Sequence, residues 1–362
     1  MLTFIDFFAG IGGARRGMEL AGHKCVGFCE FDKFAVASYT SMHLVSEEQH
    51  SILSELDFTA RQSEILKEEY RNGEWYADDI RTVHPWDIPK ADCWCFGFPC
   101  QDISVAGKQK GFQGNRSSLF FRVMYLLGQL KEEDRPAYLL IENVKNLLSV
   151  NGGWDYARLL AALDEGGYDA EWDVLNTKDF GAPQNRERVF IVGHLRGRGT
   201  TEVFPVEGTD GENHLQVDQI GRRPGTNRDN LNQYRVYSPD GVSSTLNCMG
   251  GGGLEPHTIE VIGKAYERDN RGDSCNQGVF VQMSEELTVY AVWYPKKECY
   301  VAIRKLTPKE CFRLQGWSDD YFEKAQFVNS DSQLYKQAGN GVTVTVIQAI
   351  AENMEIMKEV KE

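Results

Sequence analysis

The feature that most restricts the fold is the alternation of short β-rich runs with helical patterns over the first 195 residues. Strands are predicted near 2–8, 25–30, 92–97, 138–142, 169–175 and 188–195, and helices near 13–22, 33–42, 52–71, 117–131 and 153–166. Because helices between strands favour crossover connections, this order predicts an α/β fold. Its sheet is expected to be mostly parallel, with helices on both faces.

The pattern changes near residue 196. Residues 196–300 are rich in Gly, Asn, Asp and Pro and contain short β-like runs, which predicts a second, smaller region of strands and loops. Helical periodicity returns from about residue 304. The residues from Gly341 onward, GVTVTVIQAIAENMEIMKEVKE, predict one long amphipathic helix at the end of the chain.

Composition predicts a cytoplasmic globular protein. The chain has 362 residues, of which 41% are hydrophobic and 25% charged. It has no apolar run of about 18 residues, and no basic leader precedes MLTFIDFFAG, so neither a membrane span nor a signal peptide is expected. The nine cysteines are irregularly spaced, which favours a reducing compartment over a disulfide framework.

The net charge of -14, taken alone, disfavours a nucleic-acid partner. The charge is uneven, however. Residues 44–76 contain eight acidic and three basic residues, whereas residues 219–250 contain four arginines and two aspartates. DNA is therefore compatible with the sequence if the acidic segment faces away from it. The insert at 43–76 is expected to form one or two solvated acidic helices with a structural role.

The segment FIDFFAGIGGARRGMEL is typical of a strand, a glycine-rich turn and a helix. Gly10, Gly12 and Gly13 let a ligand approach the backbone, and Glu30 ends the second predicted strand, where an acid typically binds ribose hydroxyls. These features predict a nucleoside-containing cofactor. A tight turn beside a surface glutamate is the simpler alternative. A nicotinamide enzyme would share this layout, but Arg15 occupies the third glycine position of its motif.

The segment GFPCQDIS places Cys100 directly after Pro99, where an apolar run stops. A thiolate is the best soft nucleophile among side chains, and this position is the carboxyl end of a predicted parallel strand. A buried structural cysteine is the alternative, which suits Cys93 and Cys95 better. A zinc site formed by these three cysteines is disfavoured because no second ligand cluster follows, so no metal is expected.

Two further segments contribute candidate catalytic groups. YLLIENVKN is an apolar strand that ends at Glu142, a candidate proton donor, although capping or an ion pair would also explain it. In GAPQNRERVFIVG, Arg186 and Arg188 alternate along a predicted strand and are expected to project to the same side. Such a pair suits a phosphate, a carboxylate or a carbonyl oxygen, and an exposed edge with an ion pair is the alternative.

The segments DFFAGIGG, GFPCQ, ENV, QNRERVFIVG, LTPKECFRLQGW and QAGNGV occur in this order, and together they closely resemble bacterial and phage DNA (cytosine-5)-methyltransferases. The resemblance covers nearly the whole chain apart from 43–76 and most of 196–300. It implies the Rossmann-like fold of S-adenosylmethionine-dependent methyltransferases. In that fold, residues 304–362 would complete a catalytic and cofactor-binding domain at 1–195, and residues 196–303 would form a target-recognition domain.

The resemblance also implies roles for individual residues. Cys100 would add to C6 of a flipped-out cytosine, Glu142 would act at N3 and Arg188 at O2, with Arg186 supporting this group or a nearby phosphate. The implied S-adenosylmethionine site comprises Phe8, Gly10, Gly12, Gly13, Glu30, Phe31, Asp79, Ile80, Pro99, Leu119, Asn340 and Val342. The implied DNA contacts are Gln101, Ser104, Lys108, Gln184, Arg222, Arg223, Arg228, Arg235 and Thr245.

The implied partner is double-stranded DNA. A companion restriction endonuclease is possible, and the protein is expected to be a monomer without a membrane partner. A tRNA cytosine-5-methyltransferase on the same fold is one alternative, which the sizeable region at 196–300 disfavours. A catalytically silent DNA-binding relative is another, which the presence of all the expected groups disfavours.

Overall fold

The computed structural model describes residues 1–98, 118–208 and 299–357, together with the segments 219–222, 235–237, 242–246, 257–263, 279–282 and 288–294. A seven-stranded sheet organises the first part of the chain. Its strands are β1 (Thr3–Phe7), β2 (Lys24–Cys29), β3 (Trp75–Ala77), β4 (Cys93–Phe96), β5 (Tyr138–Val144), β6 (Tyr168–Asn176) and β8 (Glu187–Leu195). A short strand β7 (Gln184–Asn185) precedes β8 and belongs to another sheet.

The spatial order of this sheet is β3-β2-β1-β4-β5-β8-β6. The pairs from β3 to β5 are parallel, and β8 runs antiparallel to both β5 and β6. The prediction of an α/β fold with a mostly parallel sheet is thereby confirmed. The edge strand β3 was not predicted, because three residues are too few to show a periodic pattern.

The described helices are α1 (Gly13–Leu20), α2 (Lys33–His43), α3 (Glu47–Ser54), α4 (Phe58–Glu64), α5 (Ser118–Gln129), α6 (Trp154–Glu165), α7 (Pro308–Arg313), α8 (Asp319–Gln326), α9 (Asp331–Asn340) and α10 (Val344–Glu352). None of the helices in these described ranges is long and apolar enough to cross a membrane.

The sheet has a hydrophobic core on each face because alternate residues of each strand point to opposite sides. Phe7, Phe96 and Ile141 belong to the core that α5 and α6 cover. Phe4 and Leu140 belong to the opposite core, which includes buried residues of α1 and α10. The helices predicted on both faces of the sheet are therefore present.

Helices α1 and α10 touch closely at Gly17. A Cβ atom added to this glycine would lie 2.5 Å from the Cβ of Ile347, so a larger residue would separate the two helices. The contact brings the last described helix against the helix that follows the glycine-rich turn.

The single helix predicted over 52–71 is wrong. The Asp57 side chain accepts a hydrogen bond from the backbone N–H of Ala60 at 2.9 Å, and this cap starts a new helix after α3 has ended. A 3₁₀ helix at Glu68–Arg71 follows α4. The insert is not wholly solvated, since Leu53 and Ile65 are buried in a small core together with Val328.

The long C-terminal helix predicted from Gly341 is also wrong in its length. Helix α10 ends at Glu352, and Met354 turns inward to join the second core. The Glu355 carbonyl then accepts a hydrogen bond of 2.6 Å from the Tyr138 hydroxyl, and Ile356 forms a β-bridge with Thr200. Burial of this segment against the sheet replaces the final turns of helix.

A second sheet lies between residues 219 and 305. Its strands are β9 (Gln219–Arg222), β10 (Arg235–Tyr237), β12 (His257–Gly263), β13 (Val279–Gln282), β14 (Thr288–Tyr294) and β15 (Cys299–Lys305), in the order β13-β14-β15-β12-β10-β9. All of these pairs are antiparallel except β10 with β12. Strand β11 (Ser243–Ser244) pairs with β7 instead and links the two parts of the chain.

Candidate active site

The carboxyl ends of the parallel strands place the candidate residues along one edge of the sheet. In register, Cys29 of β2 pairs with Phe7 of β1, Phe7 with Phe96 of β4, and Phe96 with Ile141 of β5. The residues that follow are Glu30, Phe8, Gly97 and Glu142. The strand order reverses between β1 and β4, and the crevice at such a switch point is where open α/β sheets bind ligands.

The glycine-rich turn after β1 adopts a left-handed backbone. Phe8, Gly10 and Gly12 have φ values of 55°, 56° and 82°, and α1 begins at Gly13. A Cβ atom at Gly10 would meet nothing within 4 Å, whereas one at Gly12 would lie 2.5 Å from Nε2 of His43. The turn is therefore open on one side and tightly supported on the other.

His43 contacts the backbone of the glycine-rich turn, and this contact was not predicted from the sequence. Its Nε2 lies 3.0 Å from the Ile11 carbonyl, and its ring packs against Tyr39 and Trp317. Burial, together with the charge of Arg15, lowers the pKa of His43 well below its ordinary value. The ring is thus neutral, and Nε2 carries the proton that it donates to Ile11. No pattern in the sequence indicates this contact.

Arg15, at the third glycine position of the nucleotide motif, is buried. Its guanidinium lies 2.8 Å from a carboxylate oxygen of Glu19 and 2.6 Å from one of Glu74, and it donates to the Tyr39 hydroxyl. Arg15 therefore connects α1, α2 and the segment before β3. Its guanidinium already bonds protein groups, which disfavours a role in binding phosphate.

Glu30 is held in place by the turn. Its Oε2 accepts a hydrogen bond from Gly10 N–H, and its Oε1 accepts one from Asp32 N–H, both at 2.8 Å. Burial raises the pKa of this carboxyl above its ordinary value. Each carboxylate oxygen has a second lone pair, so the ionised group can still accept hydrogen bonds from a ligand's hydroxyls.

The neighbouring predicted cofactor residues lie beside Glu30. Phe31 is largely exposed, with the Arg81 guanidinium 5.9 Å from its ring centre. Asp79 accepts hydrogen bonds from the Arg81 side chain, which lowers the pKa of Asp79. Ile80 is buried in the first core, and its carbonyl accepts a hydrogen bond from Nε of Arg122 at 3.2 Å.

The C-terminal segment reaches the turn. A Cβ atom at Gly13 would lie 2.6 Å from the carbonyl oxygen of Val342 and 2.8 Å from its Cγ1. Asn340 is exposed at the end of α9. Leu119 is partly buried against the first core, and Pro99 lies outside the described residues.

Glu142 and Arg188 form an ion pair in which Nε of Arg188 lies 3.2 Å from Oε1 of Glu142. Both side chains are mostly buried, with 20% and 15% of their surfaces exposed, so some of each remains accessible to a ligand. A Cβ atom at Gly97 would lie 3.2 Å from Oε2 of Glu142, and glycine therefore lets the chain after β4 pass close to the carboxylate.

Asn143, the residue after Glu142, fixes the chain that leads to the predicted nucleophile. Its Nδ2 donates to the Phe98 carbonyl at 3.0 Å, and its Oδ1 accepts from Val144 N–H at 2.9 Å, with the side chain buried. Phe98 is the last residue described before Cys100, which itself lies outside the described residues. The Asn in ENV was a signal that sequence reasoning left unused.

The family model described as C-5 cytosine-specific DNA methylase matches residues 2–356 of this chain. The chain belongs to this family. The predicted enzyme class, a DNA (cytosine-5)-methyltransferase, is thereby confirmed, and the substrate is DNA. The family depends on S-adenosylmethionine in general. The alternatives of a tRNA enzyme and of a silent relative gain no support from this match.

The methylase is also similar to named type II methyltransferases over almost its whole length. The type II methyltransferase M.NlaX of Neisseria lactamica is 34% identical, with 98% of this chain and 96% of the relative covered. The type II methyltransferase M.Bsp6I of Bacillus sp. (strain RFL6) is 32% identical, with 98% of both chains covered. M.HhaI of Haemophilus parahaemolyticus is 30% identical over 98% of this chain and 94% of the relative.

Solved structures support the fold. The Entamoeba histolytica methyltransferase EhMeth superposes with a TM-score of 0.62 at 16% identity, covering 98% of this chain and 97% of that one. The S. pombe Dnmt2 methyltransferase has a TM-score of 0.62 at 18% identity, covering 97% and 98%. The fold of the methylase is thus that of known methyltransferases.

The predicted DNA contacts of the methylase are only partly described. Gln101, Ser104, Lys108, Arg223 and Arg228 lie outside the described residues. Arg222 and Arg235 face each other as paired residues of β9 and β10, and the structure describes their backbone alone.

Three other predicted residues of the methylase lie together at β7. Thr245 donates a hydrogen bond to the Asn185 carbonyl at 2.7 Å. Gln184 is fully buried, with its amide bonded to Leu314 and Leu246, and Arg186 is also buried. Arg186 lies between β7 and β8, and its guanidinium donates to the Leu246 and Gly341 carbonyls, whereas that of Arg188 contacts Glu142.

Proposed function

We propose that this methylase transfers a methyl group from S-adenosylmethionine to C5 of a cytosine that is flipped out of a specific duplex sequence, through a transient bond between Cys100 and C6. The observation that carries the proposal is the Glu142–Arg188 pair, which lies on the same sheet edge as the glycine-rich turn. Phe98, two residues before Cys100, is bonded to Asn143 beside that pair.

The described residues fit S-adenosylmethionine. Glu30 would bind the ribose hydroxyls through its remaining lone pairs, and the open space at Gly10 would let the ligand contact the turn. Phe31, Asp79 and Ile80 would border the adenine. Asn340 and Val342 would approach from the C-terminal segment, with Phe8, Gly12, Gly13, Pro99 and Leu119 completing the pocket. When bound, this cofactor supplies an electrophilic methyl group.

The protein's own residues would make C5 nucleophilic. A thiolate from Cys100 would form a bond to C6, and the displaced π electrons would give C5 enamine character while charge develops at N3 and O2. Glu142 would give a proton to N3, and Arg188 would donate a hydrogen bond to O2. The methyl group would pass to C5 as its bond to the sulfonium sulfur breaks, which leaves S-adenosylhomocysteine. Loss of the C5 proton to a base would then re-form the C5–C6 double bond and release the thiolate, and N3 would return its proton to Glu142.

The thiol has to reach the face of the pyrimidine ring, which is stacked inside a duplex. The cytosine must therefore leave the stack, at a cost of about a few kcal/mol. The proposed DNA contacts are Gln101, Ser104, Lys108, Arg222, Arg223, Arg228, Arg235 and Thr245. For Gln184, whose buried amide is already bonded to protein, we propose a positioning role in place of DNA contact.

The proposed domains follow the two sheets. The strands of the seven-stranded sheet lie between residues 3 and 195, and α10, in the last part of the chain, packs against α1. This supports a catalytic domain at 1–195 completed by 304–362. The strands of the second sheet support a target-recognition domain at 196–303. A monomer in the cytoplasm, with a companion restriction endonuclease, is also proposed, and the type II relatives support the endonuclease.

The test is methylation of plasmid DNA by the purified protein with S-adenosylmethionine, mapped by bisulfite sequencing. We expect protected cytosines within one sequence motif and a covalent adduct with a duplex that carries 5-fluorocytosine in that motif. Cys100→Ala should abolish both while DNA binding persists. Cys311→Ala, which changes a buried cysteine of α7, is the matched control and should keep both. Methyl transfer by Cys100→Ala would disprove the nucleophile.

A further inference from the structure

A buried polar cluster lies where β7, the chain after α7 and the segment before α10 meet. Its members, all 3% exposed or less, are Thr177, Gln184, Arg186, Gln315 and Thr343. Burying a charged guanidinium is costly unless its N–H groups donate hydrogen bonds. The acceptors around Arg186 are therefore expected to keep fixed positions.

Arg186 bonds two separate segments of backbone with one planar group. Nη1 donates to the Leu246 carbonyl at 3.3 Å. Nη2 donates to the Gly341 carbonyl at 2.8 Å and to the Gly339 carbonyl at 3.4 Å. Because a guanidinium presents its donors in a fixed geometry, a shift of one segment changes the bonds to the other.

The segment on one side of Arg186 is the one proposed to reach the cofactor. Gly341 precedes Val342, whose carbonyl lies against Gly13 at the end of the glycine-rich turn. The rest of the cluster fixes this segment, since Gln315 donates to the Ala338 carbonyl at 2.8 Å and accepts from the Thr343 hydroxyl at 2.9 Å.

The segment on the other side belongs to the proposed target-recognition domain. Leu246 N–H donates to Oε1 of Gln184 at 3.4 Å, and the Thr245 hydroxyl donates to the Asn185 carbonyl at 2.7 Å. Strand β11 pairs in parallel with β7 just before these contacts. Residues 243–246 are therefore attached to the same short stretch that contains Arg186.

We infer that Arg186 is a positioning residue that couples the DNA-side segment at 243–246 to the cofactor-side segment at 339–342. The inference rests on the proposed function and deepens it. Arg188 contacts the Glu142 carboxylate and faces the proposed base, whereas Arg186 bonds three backbone carbonyls from the two segments. Binding of DNA should therefore change the affinity for the cofactor. Binding of the cofactor should change the affinity for DNA by the same factor.

The test compares the dissociation constant of S-adenosylhomocysteine, measured by calorimetry, with and without the duplex motif identified by bisulfite sequencing. For the wild type, the ratio of the two constants should exceed about fivefold, the low end for coupled sites. In Arg186→Met the ratio should fall to about one, because a thioether donates no hydrogen bond. Arg186→Lys should be intermediate, since its single ammonium cannot bond both segments in the same geometry.

Arg188→Met is the matched control, which should lower kcat and keep the wild-type ratio. The inference is overturned if the two dissociation constants of the wild-type protein have a ratio of about one. It is also overturned if Arg186→Met keeps the same ratio as the wild type. Loss of kcat alone in Arg186→Met would make Arg186 a base contact. A salt slope reduced by about one would make it a phosphate contact and would also overturn the inference.

Two controls keep the result decisive. If Arg186→Met gives no cooperative thermal transition, the same comparison is made with Arg186→Lys, and a wild-type ratio there overturns the inference. A failure of the proposed function is distinguishable, because the wild-type protein would then methylate no cytosine in the plasmid assay.

Discussion

Replacing Asn143 by alanine tests how the sheet prepares the approach to Cys100. The Asn143 amide closes two hydrogen bonds, one to the Phe98 carbonyl and one from Val144 N–H, and the side chain is 1% exposed. Alanine has neither the amide nitrogen nor the amide oxygen, so the Phe98 carbonyl and Val144 N–H would both lose their hydrogen-bond partner. The Phe98 carbonyl would lose its fixed distance from the strand that carries Glu142.

The magnitude follows from the burial of these groups. A buried donor or acceptor left without a partner costs about 1–3 kcal/mol, so with two such groups Asn143→Ala should lower the free energy of unfolding by about 2–6 kcal/mol. The catalytic effect should be larger, because a displacement of about 1 Å in a positioned group can cost about 100-fold in rate. We expect kcat to fall by about 100-fold with little change in the affinity for S-adenosylhomocysteine.

The assay is transfer of labelled methyl from S-adenosylmethionine to plasmid DNA, together with urea denaturation. Asn353→Ala is the matched control, since Asn353 is exposed and its Nδ2 donates to the Val203 carbonyl at 3.0 Å. The control removes one amide without leaving two buried groups unpaired, and it should keep near wild-type kcat.

A kcat for Asn143→Ala within about threefold of the wild type would refute the positioning role, because a displacement of about 1 Å predicts a far larger loss. A large loss of stability with unchanged kcat would show that the two hydrogen bonds hold the fold and leave the Cys100 approach unaffected.

Four further predictions concern Glu30, the glycine-rich turn and helices α5 and α7. Burial raises the pKa of Glu30 above 4.5, so calorimetry should show S-adenosylhomocysteine binding weaken as pH falls through that raised pKa, and Glu30→Gln should abolish this dependence. Gly13→Ala would place a Cβ atom 2.6 Å from a backbone carbonyl and should cost about 1–3 kcal/mol in urea denaturation. Gly128→Ala, in open space on α5, should instead stabilise by about 0.5–1 kcal/mol. Hydrogen bonds from Arg304 lower the pKa of Glu310 from 4.5 to about 2, so the thermal destabilisation by Glu310→Gln at pH 7 should shrink as pH falls from 4.5 toward 2.

The parts of the site that the sequence predicted are those that depend on strand order. Glu30 and Glu142 follow apolar runs, and parallel strands bring such positions to one edge of a sheet. The glycine-rich turn was predictable for the same reason, because it connects β1 to a helix. Even here the register was inexact, since β5 continues to Val144 and Glu142 lies within the strand.

The parts that the sequence did not predict depend on contacts with backbone. Arg186 bonds the carbonyls of Leu246, Gly339 and Gly341, and His43 bonds that of Ile11. Every residue offers a carbonyl, so no residue type marks these partners in the sequence. The sequence also gave no sign that Arg186 and Arg188, two residues apart, have different partners, since Arg188 contacts the Glu142 carboxylate.

The Tyr138 hydroxyl and helix α10 set an order of events during synthesis on the ribosome. Strand β5 emerges more than 200 residues before Glu355, the residue whose carbonyl accepts the Tyr138 hydroxyl. Until that later segment is released, the face of α1 at Gly17 has no Ile347 to pack against. A nascent chain therefore exposes apolar surface beside its glycine-rich turn until the segment up to Ile356 has left the ribosome, and chains truncated before this segment should aggregate more readily.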